Sequence, residues 1–147
     1  MFKNILVPTD GSELSRRSAA AAVVLAGACG AVITAFFARP DFPVTYYGDG
    51  GVKDAATPER FAAIAEKQAS GFLSEIEGLC AAAGVACRVI SAASDVPHEA
   101  IIEAATSGGC DLIFMASHGR RGISALLLGS VTNKVLTHTA IPVIVVH

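Results

Sequence analysis

Five short apolar runs, separated by four helix-length segments, constrain this chain more than any other feature in it. The first run, Phe2 to Val7, closes on Pro8-Thr9-Asp10-Gly11-Ser12, all turn formers. Ser12 then suits the N-cap of a helix from Glu13 to about Cys29, with Glu13 at its positive end and Gly30 as a left-handed stop. Ala31 to Phe37 is uncharged throughout, as expected of a strand covered on both faces. Thr57-Pro58 sets a cap and a first-turn proline at the head of a second helix. In it Phe61, Ile64, Gln68, Phe72, Ile76, Leu79 and Ala83 step by three or four and predict one apolar stripe ending before Gly84. Val85 to Ile90 reads as the third strand. Asp95-Val96-Pro97 opens a short helix through about Thr106, with Ala100, Ile101 and Ala104 inward, and Gly108-Gly109 stops it. Leu112 to Ala116 and Ile141 to Val146 are the last strands, with a helix from about Ser130 to His138 between them. Strand and helix alternate throughout, which predicts an α/β fold: one open, five-stranded, mainly parallel sheet with helices on both faces.

Bulk properties narrow the function. One domain spans the 147 residues, and a net charge of -2 sets up no field for nucleic acid or a membrane surface. The uncharged stretch from Ser18 to Ala38, flanked by Arg16-Arg17 and Arg39, imitates a membrane span. It is mostly alanine, however, and Gly30 divides it into a helix and a strand. Cys29, Cys80, Cys87 and Cys110 have no metal-type spacing and read as small apolar groups in a reducing cytosol. Arg39 to Thr57, rich in proline and glycine, reads as a long loop, either a variable surface excursion or a lid.

Open parallel sheets bind ligands beyond the carboxyl ends of their strands. Two of those ends are polar here: Pro8-Thr9-Asp10 after the first strand, and Ser117 to Gly122 after the fourth. The second leads by way of Gly119 to Gly129-Ser130 at the start of a helix, and glycines next to a helix N-terminus make a ready anion site. The loop is therefore expected to hold the phosphates of a nucleotide. Neither G-x-x-x-x-G-K-[ST] nor a strand-fed G-x-G-x-x-G occurs, which argues against the P-loop and dehydrogenase readings.

The frame Ala116-Ser117-His118-Gly119, nine residues, then Gly129-Ser130 is similar to the G-x2-G-x9-G-[ST] motif of the universal stress protein family. The resemblance extends to Asp10-Gly11-Ser12, to Asp111-Leu112-Ile113 and to the closing Ile141-Pro142-Val143-Ile144-Val145-Val146. It implies a Rossmann-like fold of the adenine nucleotide alpha-hydrolase-like kind, with strand order 3-2-1-4-5. It also implies a cytoplasmic regulator in the stress response that binds ATP, or AMP or ADP in its place, with Mg²⁺ on the phosphates and at most slow hydrolysis. By resemblance, Asp10 takes the ribose hydroxyls, Pro8 and Thr9 edge the base, and Phe37 meets adenine through its main chain. Gly119, Arg120, Gly129, Ser130 and Val131 surround the phosphates, while Arg121 is a less direct contact. Ala116 stands where the motif has its first glycine. Alanine there costs about 1–2 kcal/mol if φ is positive, and little if the backbone is still strand-like, which the continuous β run favours.

Simpler roles stay open: Asp10 as a turn former, Ser130 as a helix N-cap, His118 as a loop residue. No catalytic set is legible, and micromolar binding is expected. The last strand is apolar on both faces and, at a sheet edge, would expose unpaired backbone. The resemblance implies a homodimer through residues 142–146. A nucleotide-independent interaction module of the same fold and a self-phosphorylating protein are the competing readings.

Overall fold

The computed structural model describes residues 1–41, 57–120 and 127–147. The expected lid or surface loop therefore lies, but for its ends, outside the described residues, as does Arg121. Five strands, β1 (Asn4–Pro8), β2 (Val32–Arg39), β3 (Cys87–Ala93), β4 (Leu112–Ala116) and β5 (Val143–Val146), form one sheet in the order β3-β2-β1-β4-β5. Every pairing is parallel. Four helices connect them: α1 (Glu13–Cys29), α2 (Pro58–Ala83), α3 (Pro97–Ser107) and α4 (Ser130–His138).

Local chemistry explains most of the helix ends. Ser12 Oγ accepts from the Ser15 amide at 3.2 Å, and Thr57 Oγ1 from the Arg60 amide at 3.2 Å, so both expected N-caps form. Gly30 (φ 68°) and Gly84 (φ 67°) close α1 and α2 in the left-handed conformation.

Alternation along the strands sends side chains to two cores. Ile5, Val7, Ile33, Ala35, Phe37, Leu112 and Phe114 face α1 and α2, whereas Leu6, Phe36, Ile113 and Met115 face α3 and α4. The sheet is thus covered on both sides, as parallel sheets require. Among the described residues no helix is long and apolar enough to cross a membrane.

The structure corrects several expectations. The buried face of α2 is Ala65, Ala69, Leu73, Ile76 and Cys80; of the expected stripe Ile76 lies on it and Phe61 and Phe72 are half-buried, but Ile64 is 58% and Leu79 39% exposed. Small residues at 65 and 69 let the helix axis approach the sheet, and weighting by side-chain size hides such a face. β2 runs on to Arg39 and β3 to Ala93 because they pair with each other past the end of β1, through Ala38↔Ala92 and Arg39↔Ala93. β5 begins two residues later than expected, since Pro142 has no N–H to give and contributes only its carbonyl, to the Ile113 amide.

At the amino edge of the sheet, Asp111 accepts the amides of Lys3 (2.9 Å) and Asn4 (3.0 Å) and so ties β1 to β4. Burial pushes the Asp111 carboxyl up, but these amide bonds outweigh it and hold the group below its ordinary value. The unfolded chain therefore binds its proton more readily, so the stabilisation is present above about pH 4 and is lost on acidification below that. Urea midpoints should fall from pH 5 to pH 3, and Asp111→Asn should flatten that fall; an unchanged slope would remove this role.

Candidate functional site

The carboxyl ends of β1 and β4 meet α1 and α4 around a cavity of about 660 Å³. That lies within the range of roughly 300–1,000 Å³ usual for small-molecule sites. All ten residues expected at the site line it: Pro8, Thr9, Asp10, Phe37, Ala116, Gly119, Arg120, Gly129, Ser130 and Val131.

Two hydrogen bonds to main-chain carbonyls bring α4 against the end of β4. The Gly129 amide donates to the Ser117 carbonyl at 2.7 Å, and the Thr132 hydroxyl donates to the Ala116 carbonyl at 3.0 Å. A Cβ on Gly129 would stand 3.1 Å from His118 Cα, so close approach, not conformational freedom, calls for glycine. Gly129, extended at φ -61°, is itself the N-cap of α4, and Ser130 is the first helical residue rather than the cap. Ala116 is the last residue of β4, paired with Val146, so its backbone is strand-like and carries no left-handed strain.

Asp10 links the two strand ends. Its Oδ1 accepts the Ser12 amide and its Oδ2 the Arg120 amide, each at 2.9 Å. Burial raises its pKa, but hydrogen bonds from Ser12, Arg120 and Ser15 more than offset that and leave it lowered. The carboxylate therefore stays charged at neutral pH, and with two amides bound it keeps lone pairs for further donors. A Cβ on Gly119 would overlap this carboxylate, which is why the loop needs glycine there.

Several expected roles shift once the partners are visible. The amides of Gly129 and Arg120 are already used inside the fold, so they are not the donors the motif suggested. The amides of Ser130, Val131 and Thr132 at the open end of α4 have no acceptor among the described residues. The Arg120 guanidinium lies 5.0 Å over the Phe72 ring, which in turn meets Phe37 edge-on at 5.5 Å between centroids. Phe37 is buried, and its main chain faces β3. Val32 donates to Lys3 and Phe36 accepts from Thr9, so even-numbered residues of β2 face β1. Ala38, one pair beyond the end of β1, faces the cavity side with an N–H and C=O that have no partner among the described residues.

Sequence reasoning missed Ser15, Phe36, Ala38, Pro97, Ile101, Met115, His118 and Thr132, which also line the cavity, as do Leu127 and Leu128. Pro97 was within reach, because it follows β3 at the same carboxyl edge. His118, expected as a plain loop residue, has its neighbour as a partner, with Ser117 Oγ and His118 Nδ1 3.0 Å apart. Ser117 is fully buried and does not reach the cavity, so it orients the ring rather than acting as a nucleophile. The four cysteines are free: Cys80 and Cys110 are buried, Cys29 and Cys87 half-buried. Burial first, then the neighbouring Cys80 thiol, pushes the Cys87 thiol up to about 12, which makes it a poor nucleophile.

The sequence profile of the universal stress protein family matches residues 1–147, the whole chain. The chain belongs to the universal stress protein family. A universal stress protein of Thermus aquaticus, encoded beside a QAH/OAS sulfhydrylase, is 34% identical with all of both chains aligned. The solved universal stress protein MJ0577 of Methanocaldococcus jannaschii superposes with a TM-score of 0.84 at 25% identity, covering 99% of this chain and 96% of that one. A universal stress protein solved in complex with cAMP superposes at 0.72, also at 25% identity, over 99% of this chain and 97% of that one. These relatives thus share the fold seen here, and one of them was solved with cAMP, an adenine nucleotide.

Proposed function

We propose that this universal stress protein binds an adenine nucleotide, ATP in the first place, and works as a homodimeric regulator of the stress response in the cytoplasm. One observation carries the reading: a single cavity joins a charged, partly free carboxylate at Asp10 to amides at the head of α4 that have no acceptor among the described residues, with apolar walls between them. The relative solved with cAMP supports the ligand class. In this reading Ile101, Met115 and Pro8 pack on the base, and the main chain of Ala38 meets its polar edge. Asp10 takes the ribose hydroxyls. The amides of Ser130 and Val131, with Gly119, take the phosphates, where charge-assisted hydrogen bonds and the helix dipole act together. Mg²⁺ would ride on the phosphates and water. In this reading hydrolysis would be slow at most.

Heating the purified protein and identifying released nucleotide by mass spectrometry tests this, followed by calorimetry with ATP, AMP and cAMP. Micromolar binding is expected. Preparations free of nucleotide, with no heat from any of the three at millimolar concentration, would leave a nucleotide-independent module. The amides already satisfied by Asp10 and Ser117 favour that second reading.

The dimer would form through residues 142–146. Pro142 and Val146 give their carbonyls to β4, so Val143 and Val145 turn their N–H and C=O groups to the open edge. Light scattering should return twice the 15.0 kDa chain mass. Val145→Pro should give a folded monomer, because it removes an outward N–H and no inward one. A wild-type monomer would end the proposal.

A further inference from the structure

Away from the nucleotide residues, the second residue of α3 and the last residue of α4 bring two imidazoles together. The ring centroids of His98 and His138 are 5.6 Å apart, with the planes inclined at 60°. His98 is half-buried and His138 exposed. The Nδ1 of His138 lies 2.8 Å from the Lys134 carbonyl oxygen and 2.9 Å from Thr137 Oγ1. A carbonyl only accepts, so Nδ1 carries the proton and the lone pair of the neutral ring sits on Nε2. A metal-binding histidine has that arrangement, with one nitrogen anchored to main chain and the other open. The ring nitrogens of His98 have no hydrogen-bond partner among the described residues.

We propose that His98 and His138 together hold a divalent transition-metal ion, Zn²⁺ by preference, with water completing its shell. Borderline ions of this kind favour imidazole. Two imidazoles on one tetrahedral zinc, with Zn–N bonds of about 2.1 Å, have centroids about 5 Å apart, close to the spacing observed. The surrounding charges nearly cancel: Glu99 follows His98, and Lys134 lies one turn before His138. The negative end of α4 favours a cation at His138, whereas the positive end of α3 opposes it at His98. The two metal–nitrogen bonds therefore supply the affinity, which places it in the micromolar range. Because Pro97 and Ile101 of α3 and Ser130 to Thr132 of α4 also line the cavity, a bound ion would clamp two of its walls. The site does not depend on the nucleotide reading.

Calorimetric titration of the full chain, free of any histidine tag, with ZnCl₂ and separately NiCl₂ tests the proposal. One ion per chain is expected, with affinity lowered at least about tenfold by His98→Ala and equally by His138→Ala. Both variants should keep the metal-free melting temperature, and only the wild type should gain stability with added zinc. If either variant binds as tightly as the wild type, the pair is not the site. If both histidine variants still bind zinc and replacing the four free cysteines with serine removes the binding, the ion is on the thiols, and the proposal is overturned.

Discussion

Gly119→Ala should lower nucleotide affinity by about tenfold to a hundredfold and destabilise the fold at the same time. The reason is contact rather than backbone freedom: the added methyl overlaps the Asp10 carboxylate, which accepts the Arg120 amide at 2.9 Å. Hydrogen bonds to charged groups are worth about 1.5–3 kcal/mol, and each 1.4 kcal/mol is tenfold in binding. A double-mutant cycle separates this account from a general disturbance of the loop. With Asp10→Ala in place there is no carboxylate to meet, so the stability cost of Gly119→Ala should largely vanish. Equal costs in both backgrounds, read from urea unfolding, would show that the two groups are not coupled. Intact nucleotide affinity in the single variant would remove this loop from the binding site.

Leu73→Ala should cost about 2–5 kcal/mol of folding stability, whereas Ile64→Ala should stay within about 0.5 kcal/mol. Both residues are large and apolar and lie on α2, but Leu73 is 6% exposed and packs against the sheet, while Ile64 is 58% exposed. A domain of this size is stable by roughly 5–15 kcal/mol, so the first change removes a large share and the second almost none. Chemical denaturation of the two variants side by side reads the difference. The reverse ranking would mean that α2 turns its Ile64 side to the sheet.

These two experiments mark where sequence and tertiary structure each decide the matter. The order of strands and helices was legible because its signals are local. Ser12 and Thr57 cap helices through their own hydroxyls, Gly30 and Gly84 end them in the left-handed conformation, and uncharged runs announce strands buried on both faces. Ten of the residues that line the cavity were legible too, because a parallel sheet gathers its ligands at one edge and the polar strand ends stand out in an apolar chain.

What sequence could not supply was partners. Which face of α2 turns inward depends on how near small residues let it come to the sheet. Whether the amides of Gly129 and Arg120 are free depends on acceptors, Ser117 and Asp10, that sit far along the chain or across it. That Ala38 rather than Phe37 offers its main chain follows from where β1 stops beside β2. Sequence alone determined the elements and their order along the chain through short-range propensity and patterning, and with the family resemblance it named ten of the residues at the cavity. Only the tertiary structure decided which of those residues' polar groups remain unspent, because a hydrogen bond is completed by whatever group folding brings within 3 Å or so of it.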